Sequence, residues 1–105
     1  DMAVEFQGDF SQFVAEDISA GGSALIINQP VSFKEGDSVT LTIALPFSNG
    51  DIKYIQTNAL IVRFWEKDLI KMASIRFEET DDVDKQLIVR FCFDRQLLQR
   101  KKGIE

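Results

Sequence analysis

The sequence contains no histidine and a single cysteine among its 105 residues. Without histidine, the chain lacks the most common general base and metal ligand of proteins and cannot form Ser-His or Cys-His nucleophile pairs. Because Cys92 is alone, no intramolecular disulfide can form, which favours a reducing, cytoplasmic environment. We therefore expect a protein that is not an enzyme, with no cofactor and no metal site.

Long apolar runs and an excess of basic residues are also missing. No stretch reaches the roughly 18 apolar residues that a transmembrane helix needs, and no signal peptide is visible. The net charge of −5 provides no broad basic field for DNA or for an anionic membrane. The length and nine phenylalanines suit one domain with a hydrophobic core, residues 1–105. Because the chain opens at Asp1 with Met2 next, we expect a fragment or processed form.

Short apolar segments separated by turn signals run through residues 2–77. The clearest one, residues 39–45, alternates Val, Leu and Ile with Thr and Ala, as a half-buried strand does. Asn-Gly within residues 48–51 predicts a hairpin turn with positive φ at both central positions. Residues 8–9, 36–37 and 66–68 mark further turns. Six strands at this spacing predict an antiparallel barrel or closed sandwich. The predicted strands cover residues 2–7, 11–16, 23–28, 39–45, 52–65 and 70–77.

The last quarter of the chain changes to helical periodicity. Thr80, Asp81 and Asp82 provide N-cap candidates and early negative charge. Basic residues crowd the other end, where cations suit the helix dipole: Arg95, Arg100, Lys101 and Lys102. The pattern predicts one helix from about residue 83 to about residue 101. Apolar residues extend beyond a single stripe, so the helix is either clasped on two sides or contacts a partner; the extra ones are Val89, Phe93 and Leu97.

One short run, residues 17–22, concentrates the polar and conformationally special groups of the chain. Asp17 offers a carboxylate acceptor, Ser19 a hydroxyl, and Gly21 and Gly22 allow close approach of a ligand to the backbone. The structural interpretation is a β-turn, in which Asp and Ser bond to their own backbone and Gly-Gly supplies positive φ. This structural interpretation is compatible with ligand binding by the same residues, because a rigid loop is a good ligand platform.

The pattern Asp17-x-Ser19-x-x-Gly22 between two strands resembles the signature of the PilZ domain family, (Asp/Asn)-x-Ser-x-x-Gly. The resemblance extends over nearly the whole chain, through similar segments at residues 36–37, 45–46, 59–63 and 73–77. It implies a six-stranded antiparallel β-barrel with a C-terminal α-helix, all-β apart from that helix. It also implies a receptor module that binds the bacterial second messenger cyclic di-GMP on the outside of the barrel.

The resemblance implies a role for each motif residue. Asp17 would accept hydrogen bonds from a guanine edge, and Ser19 would bond to guanine or to a phosphate. Gly22, beside Gly21, would leave room for the base and allow the backbone geometry of the loop. One of the strand arginines, Arg63 or Arg76, would point outward and help to hold the ligand; the structural interpretation is a solvated barrel face, which alternation alone does not decide.

The chain departs from the family pattern in its basic residues. PilZ domains also carry an Arg-x-x-x-Arg segment just before the first strand, which grips phosphates and guanine. No arginine precedes Arg63 here, so we expect that segment either upstream of Asp1 or absent from the full protein. If it is absent, the chain is instead a ligand-independent, PilZ-like protein-interaction module.

Three further features keep a structural and a functional interpretation. The end of the helix resembles that of flagellar-brake PilZ proteins, which implies motility control and a neighbouring N-terminal domain; the alternative is an ordinary basic helix end. Trp65 either packs at the barrel core or rim, or stacks on a base. Cys92 is expected to be a buried structural thiol.

Overall fold

The chain folds into a closed antiparallel barrel of six strands followed by one helix. The computed structural model describes the backbone of residues 2–104 and the side chains of residues 2–99. The elements are β1 Met2–Phe6, β2 Asp9–Ile18, β3 Gly22–Ile26, β4 Ser38–Pro46, β5 Ile52–Lys67, β6 Ile70–Glu78 and α1 Asp82–Ile104. The strand order is β1-β2-β3-β6-β5-β4, and β4 pairs with β1 to close the barrel. This confirms the predicted fold.

Alternating apolar residues of the strands fill the barrel. In β4 the four residues of the predicted period are all buried, Leu41 with no exposed surface, while the residues between them face outward. Burying each such side chain contributes about 1.5–3 kcal/mol. Within residues 2–104, closure also leaves no free edge strand for pairing with other chains.

Two β-bulges change which residues face outward. The register shifts between Ala15 and Asp17 in β2, and between Ile61 and Arg63 in β5. Residues two apart normally share one face of a strand, and Ile61 is fully buried, so unbroken alternation would point Arg63 inward. The extra residue of each bulge reverses the alternation. Asp17 and Arg63 are therefore exposed on the outer face of the barrel.

Two hairpins are tighter than expected, and one is looser. Residues 7–8 and 68–69 are two-residue turns with positive φ at both positions, as in type I′ turns. The prediction for residues 48–51 is wrong in its geometry, because only Gly50 has positive φ there. The side chain of Asn49 instead accepts a hydrogen bond from the Asp51 amide at 3.0 Å, within a longer loop.

The helix begins one residue before its predicted start. The amide of Lys85 donates to the carbonyl of Asp81 at 2.9 Å, which is the first helical bond. Thr80 does not cap the helix: its side chain is buried, and its hydroxyl lies 2.7 Å from the hydroxyl of Thr57. This bond joins the start of α1 to β5.

One face of the helix packs on the barrel end. Ile88 is fully buried, and the ring of Phe91 meets that of Phe47 edge-on at 5.6 Å. The helix is not clasped on two sides by the described residues, because the opposite face stays exposed with Val89, Phe93 and Leu97. The predicted basic residues Arg100, Lys101 and Lys102 lie outside the described side chains. No described helix has the length and hydropathy needed to cross a membrane.

Candidate functional site

The motif residues lie where β2 ends and β3 begins. The sequence predicted a loop over residues 17–22, but the connection is shorter. Asp17 and Ile18 belong to β2 and Gly22 to β3, since the bulge lets β2 continue and pair Asp17 with Ala24. Only residues 19–21 form the turn, so the motif is a tight corner of the barrel wall.

The carboxylate of Asp17 is exposed and already bound on one side. Its Oδ1 accepts a hydrogen bond from the amide of Ala24 at 3.1 Å. The hydroxyl of Ser23 donates to the main-chain carbonyl of Asp17. The Ala24 bond orients the side chain and the Ser23 bond holds the main chain beneath it, while Oδ2 accepts no bond from the described part of the chain. The geometry presents a pre-positioned acceptor to solvent.

Ser19 closes the turn. Its amide donates to the carbonyl of Gly22 at 2.8 Å, and its Oγ accepts from the amide of Gly21 at 3.3 Å. The carbonyl of Gly21 accepts from the amide of Phe77 at 2.9 Å, which ties the turn to β6. The bond from Ser19 to its own backbone that the structural interpretation expects is therefore present, and these bonds make the connection a rigid platform.

The barrel requires glycine at one of the two glycine positions of the motif and not at the other. Neither has positive φ, contrary to the expectation for a Gly-Gly turn. A Cβ at Gly22 would lie 2.2 Å from the carbonyl oxygen of Ile75, so the pairing of β3 with β6 requires glycine there. A Cβ at Gly21 would meet no atom within 4 Å. Gly22 is thus required by the barrel itself, whether or not a ligand is bound.

Both strand arginines are on the outer face. Asp17 pairs with Ala24, Ala24 with Ser74, and Ser74 with Arg63, so these four residues form one row across four strands. Three strand spacings separate Asp17 from Arg63 by about 14 Å. Arg76 is closer, since it pairs directly with Gly22.

Each arginine has a neighbour of its own. The guanidinium carbon of Arg63 lies 4.7 Å from the ring centre of Trp65, which is half-buried on the same outer face. A nitrogen of Arg76 lies 3.4 Å from a carboxylate oxygen of Glu78, a salt bridge in an exposed position. Because exposed pairs of this kind contribute little, Arg76 can change partner at small cost.

A cavity of about 440 Å³ opens beside Asp17, between the barrel and α1. Its walls come from the ends of β1, β2 and β4 and from one face of the helix. Its lining combines apolar side chains with the polar ones of Glu16, Asp17, Arg95, Gln96 and Gln99. The sequence analysis placed Arg95 in the basic end of the helix and gave it no part in the ligand site. No local signal links it to Asp17, because the two meet only through tertiary packing.

Cys92 lies in the wall of the same cavity. Its thiol donates a weak hydrogen bond to the carbonyl of Ile18 at 3.3 Å, which joins the helix to the strand that carries the motif. Partial burial raises the pKa of this thiol above its ordinary value. Among the described residues no group of three His, Cys, Asp or Glu side chains could hold a metal ion.

Comparison with known proteins gives consistent results. A family model described as PilZ domain matches residues 2–94. The chain is 32% identical over 88 residues to the Bacillus subtilis (strain 168) protein named "Uncharacterized protein YpfA". This match covers 82% of this chain and 40% of that protein. The fold matches the solved structure of the Bacillus subtilis inhibitor of motility MotI/DgrA with a TM-score of 0.84 and 26% identity. That match covers 95% of this chain and 48% of the solved one. The chain thus spans about half the length of these relatives, or less.

Proposed function

The chain belongs to the PilZ domain family, and from this premise we propose that it is a non-enzymatic receptor module for cyclic di-GMP in the bacterial cytoplasm. In this proposal the module relays the signal to a neighbouring domain or a protein partner. Asp17, Ser19, Gly21 and Gly22 form the base-binding corner, and Arg63 is an outer-face cation.

The observation that carries the proposal is the exposed, pre-oriented carboxylate of Asp17. Guanine presents N–H donors at N1 and N2, and one carboxylate can accept from both. Bonds to a charged acceptor contribute about 1.5–3 kcal/mol, more than neutral ones. The acceptor is held by the Ala24 amide before any ligand arrives, so little ordering is needed on binding.

The phosphates require positive charge that the net charge of −5 does not supply. Met2 pairs with Phe13 and Ile43 and lines the cavity beside Asp17. An Arg-x-x-x-Arg segment preceding Asp1 would join β1 beside this cavity, and it would therefore adjoin the motif. Binding would then order that segment against the corner, with part of the binding energy used for the ordering.

We place the output in motility control. The supporting comparison is the fold match to a protein titled an inhibitor of motility. The ordered upstream segment would fix the position of a neighbouring N-terminal domain, and that change would alter the surface presented to a partner.

The test is calorimetric titration of cyclic di-GMP into the full-length protein and two variants. Asp17→Asn keeps an acceptor for the Ala24 amide but removes the charge, so we expect it to weaken binding by about tenfold or more. Asp68→Asn makes the same change of charge in an exposed hairpin and should bind like the wild type. Cyclic di-AMP is the ligand control, because adenine has no donor at N1 and should bind poorly.

Two results would contradict the receptor proposal. One is the absence of heat with folded full-length protein. The other is equal affinity of Asp17→Asn and Asp68→Asn. Thermal unfolding of each variant establishes that the comparison is made on folded protein.

A second candidate is a ligand-independent protein-interaction module. The exposed helix face of Val89, Phe93 and Leu97 favours it, because apolar side chains on the face away from the barrel suit a partner. The two candidates differ in the residues before Asp1: two arginines four apart favour the receptor, and their absence favours the interaction module.

A further inference from the structure

We propose that Arg95, on the helix, binds a phosphate of the ligand from within the cavity between α1 and β2, and so adds a positive charge on the helix side of Asp17 to those of the strand arginines. This inference rests on the proposed function and adds a second wall to the site. The ligand chemistry is a phosphodiester anion attached to a guanine that Asp17 binds.

The geometry that supports the assignment is the shared cavity. Asp17 and Arg95 line the same space of about 440 Å³, and Arg95 is the only Lys or Arg among its described lining residues. In the proposed pose, the guanine bound by Asp17 has its sugar and phosphate beside the cavity mouth. Gln96 and Gln99 lie on the same wall and offer neutral donors to phosphate oxygens.

The guanidinium of Arg95 is held in place, and the charge of its sequence neighbour Asp94 acts on it without a direct ion pair. Its central carbon lies 5.0 Å from the ring centre of Phe91, so stacking on the ring restricts its position. Among the described side chains it forms no salt bridge within 4.0 Å. The planar group retains its N–H donors, a geometry that suits phosphate oxygens.

The local charge also favours an occupant that is neutral at one end and anionic at the other. Glu16 and Asp17 form the acidic side of the cavity, and Arg95 forms the basic side. A free phosphate would be repelled by the two carboxylates, whereas a guanine nucleotide directs its donors toward Asp17 and its phosphate toward Arg95. The cavity thus matches both ends of one ligand.

The test compares two single-charge changes on the same helix in the full-length protein. Arg95→Gln removes the cavity cation. Arg90→Gln makes the same change on an exposed position of α1 that does not line the cavity. We expect Arg95→Gln to weaken cyclic di-GMP binding by about tenfold or more, and Arg90→Gln to change it less than about twofold. Arg95→Lys, which keeps the charge, should retain most of the affinity.

Cys92 provides a second readout from inside the cavity. Its alkylation by iodoacetamide near pH 8.5, followed by mass spectrometry of the peptide that contains it, reports access to the cavity wall. Saturating cyclic di-GMP should slow this reaction several-fold in the wild type and in Arg90→Gln. In Arg95→Gln, protection should require about tenfold more ligand, matching the loss of affinity.

Two outcomes overturn the assignment while leaving the receptor proposal intact. They are equal affinities of Arg95→Gln and Arg90→Gln, and an unchanged alkylation rate of Cys92 at saturating ligand. Failure of the folded wild type to bind cyclic di-GMP overturns both proposals, so the two failures are distinguishable. Circular dichroism of each variant excludes misfolding, and Arg95→Ala, which also removes the charge, takes the place of Arg95→Gln in the comparison if that variant does not fold.

Discussion

Replacing Gly22 with alanine should damage the barrel itself. An ideal Cβ at Gly22 lies 2.2 Å from the carbonyl oxygen of Ile75 and 3.3 Å from the Cα of Arg76. Both neighbours are backbone atoms of β6, which no side-chain rotation can move away. The strands must separate by roughly 0.8 Å to restore the shortest contact that Cβ atoms tolerate, 3.0 Å.

The cost follows from two contributions. Overpacking of this kind destabilises by about 1–3 kcal/mol. A weakened hydrogen bond at the start of the β3–β6 ladder adds about 1 kcal/mol. We therefore expect Gly22→Ala to lower the free energy of unfolding by about 2–4 kcal/mol, and the Tm by roughly 10–25 °C. Urea denaturation and thermal unfolding followed by circular dichroism measure these losses.

Gly21→Ala is the matched control. The two positions are adjacent, but a Cβ at Gly21 meets nothing within 4 Å and its φ is not positive. We expect no loss of stability, and a gain of about 0.4–1 kcal/mol through the unfolded chain. Equal stabilities of the two variants would refute the steric argument. If the argument holds, weak ligand binding by Gly22→Ala reports a damaged fold and says nothing about contact with a base.

Three other perturbations have definite expected outcomes. Leu69 has a φ of 67° and is 92% exposed. Leu69→Gly removes the backbone strain of a positive φ and should stabilise the protein by about 0.5–1 kcal/mol in urea denaturation. Leu69→Ala keeps that strain and should not stabilise it. Thr80→Val should cost about 1 kcal/mol because it removes the 2.7 Å bond to Thr57, and a double-mutant cycle with Thr57→Val should show coupling; additive effects would contradict this. Hydrogen bonds from the hydroxyl and amide of Ser48 lower the pKa of Asp94 in the folded state. The stabilisation that the Asp94 carboxylate provides is therefore present above its unfolded pKa of about 3.9, and it is lost as the pH falls through its folded pKa. Stability measured against pH should therefore fall less steeply below pH of about 4 in Asp94→Asn than in the wild type, and identical profiles would contradict the assignment.

Period-two alternation predicted the strands well wherever the alternation was uninterrupted. Residues 39–45 read as one half-buried strand, and their apolar members are indeed buried. Turn chemistry was less informative. Asn49-Gly50 has the composition of a type I′ turn, yet that geometry occurs at residues 68–69, where neither residue is glycine. The register of the long strands forces that turn, so a long-range pairing overrides the local preference.

The helix was predicted from its spacing, but its surroundings were not. The sequence showed apolar residues beyond a single stripe, but only the packing shows that Ile88 and Phe91 face the barrel while Phe93 remains exposed. Thr80 was one of three N-cap candidates, because Thr is common at that position. Its burial against Thr57 depends on the position of β5, which the local sequence does not encode.

The amino-acid sequence by itself determined the family, the barrel with its helix and the motif of Asp17, Ser19 and Gly22, because alternation and the spacing of a signature are local properties. The tertiary structure decided which way these residues face and what lies beside them. A bulge adds one residue against the partner strand and turns Asp17 and Arg63 outward, which alternation along one strand cannot reveal. Packing of the helix on the barrel end brings Arg95 to the cavity that Asp17 also lines, because only the closed fold brings these two distant parts of the sequence together.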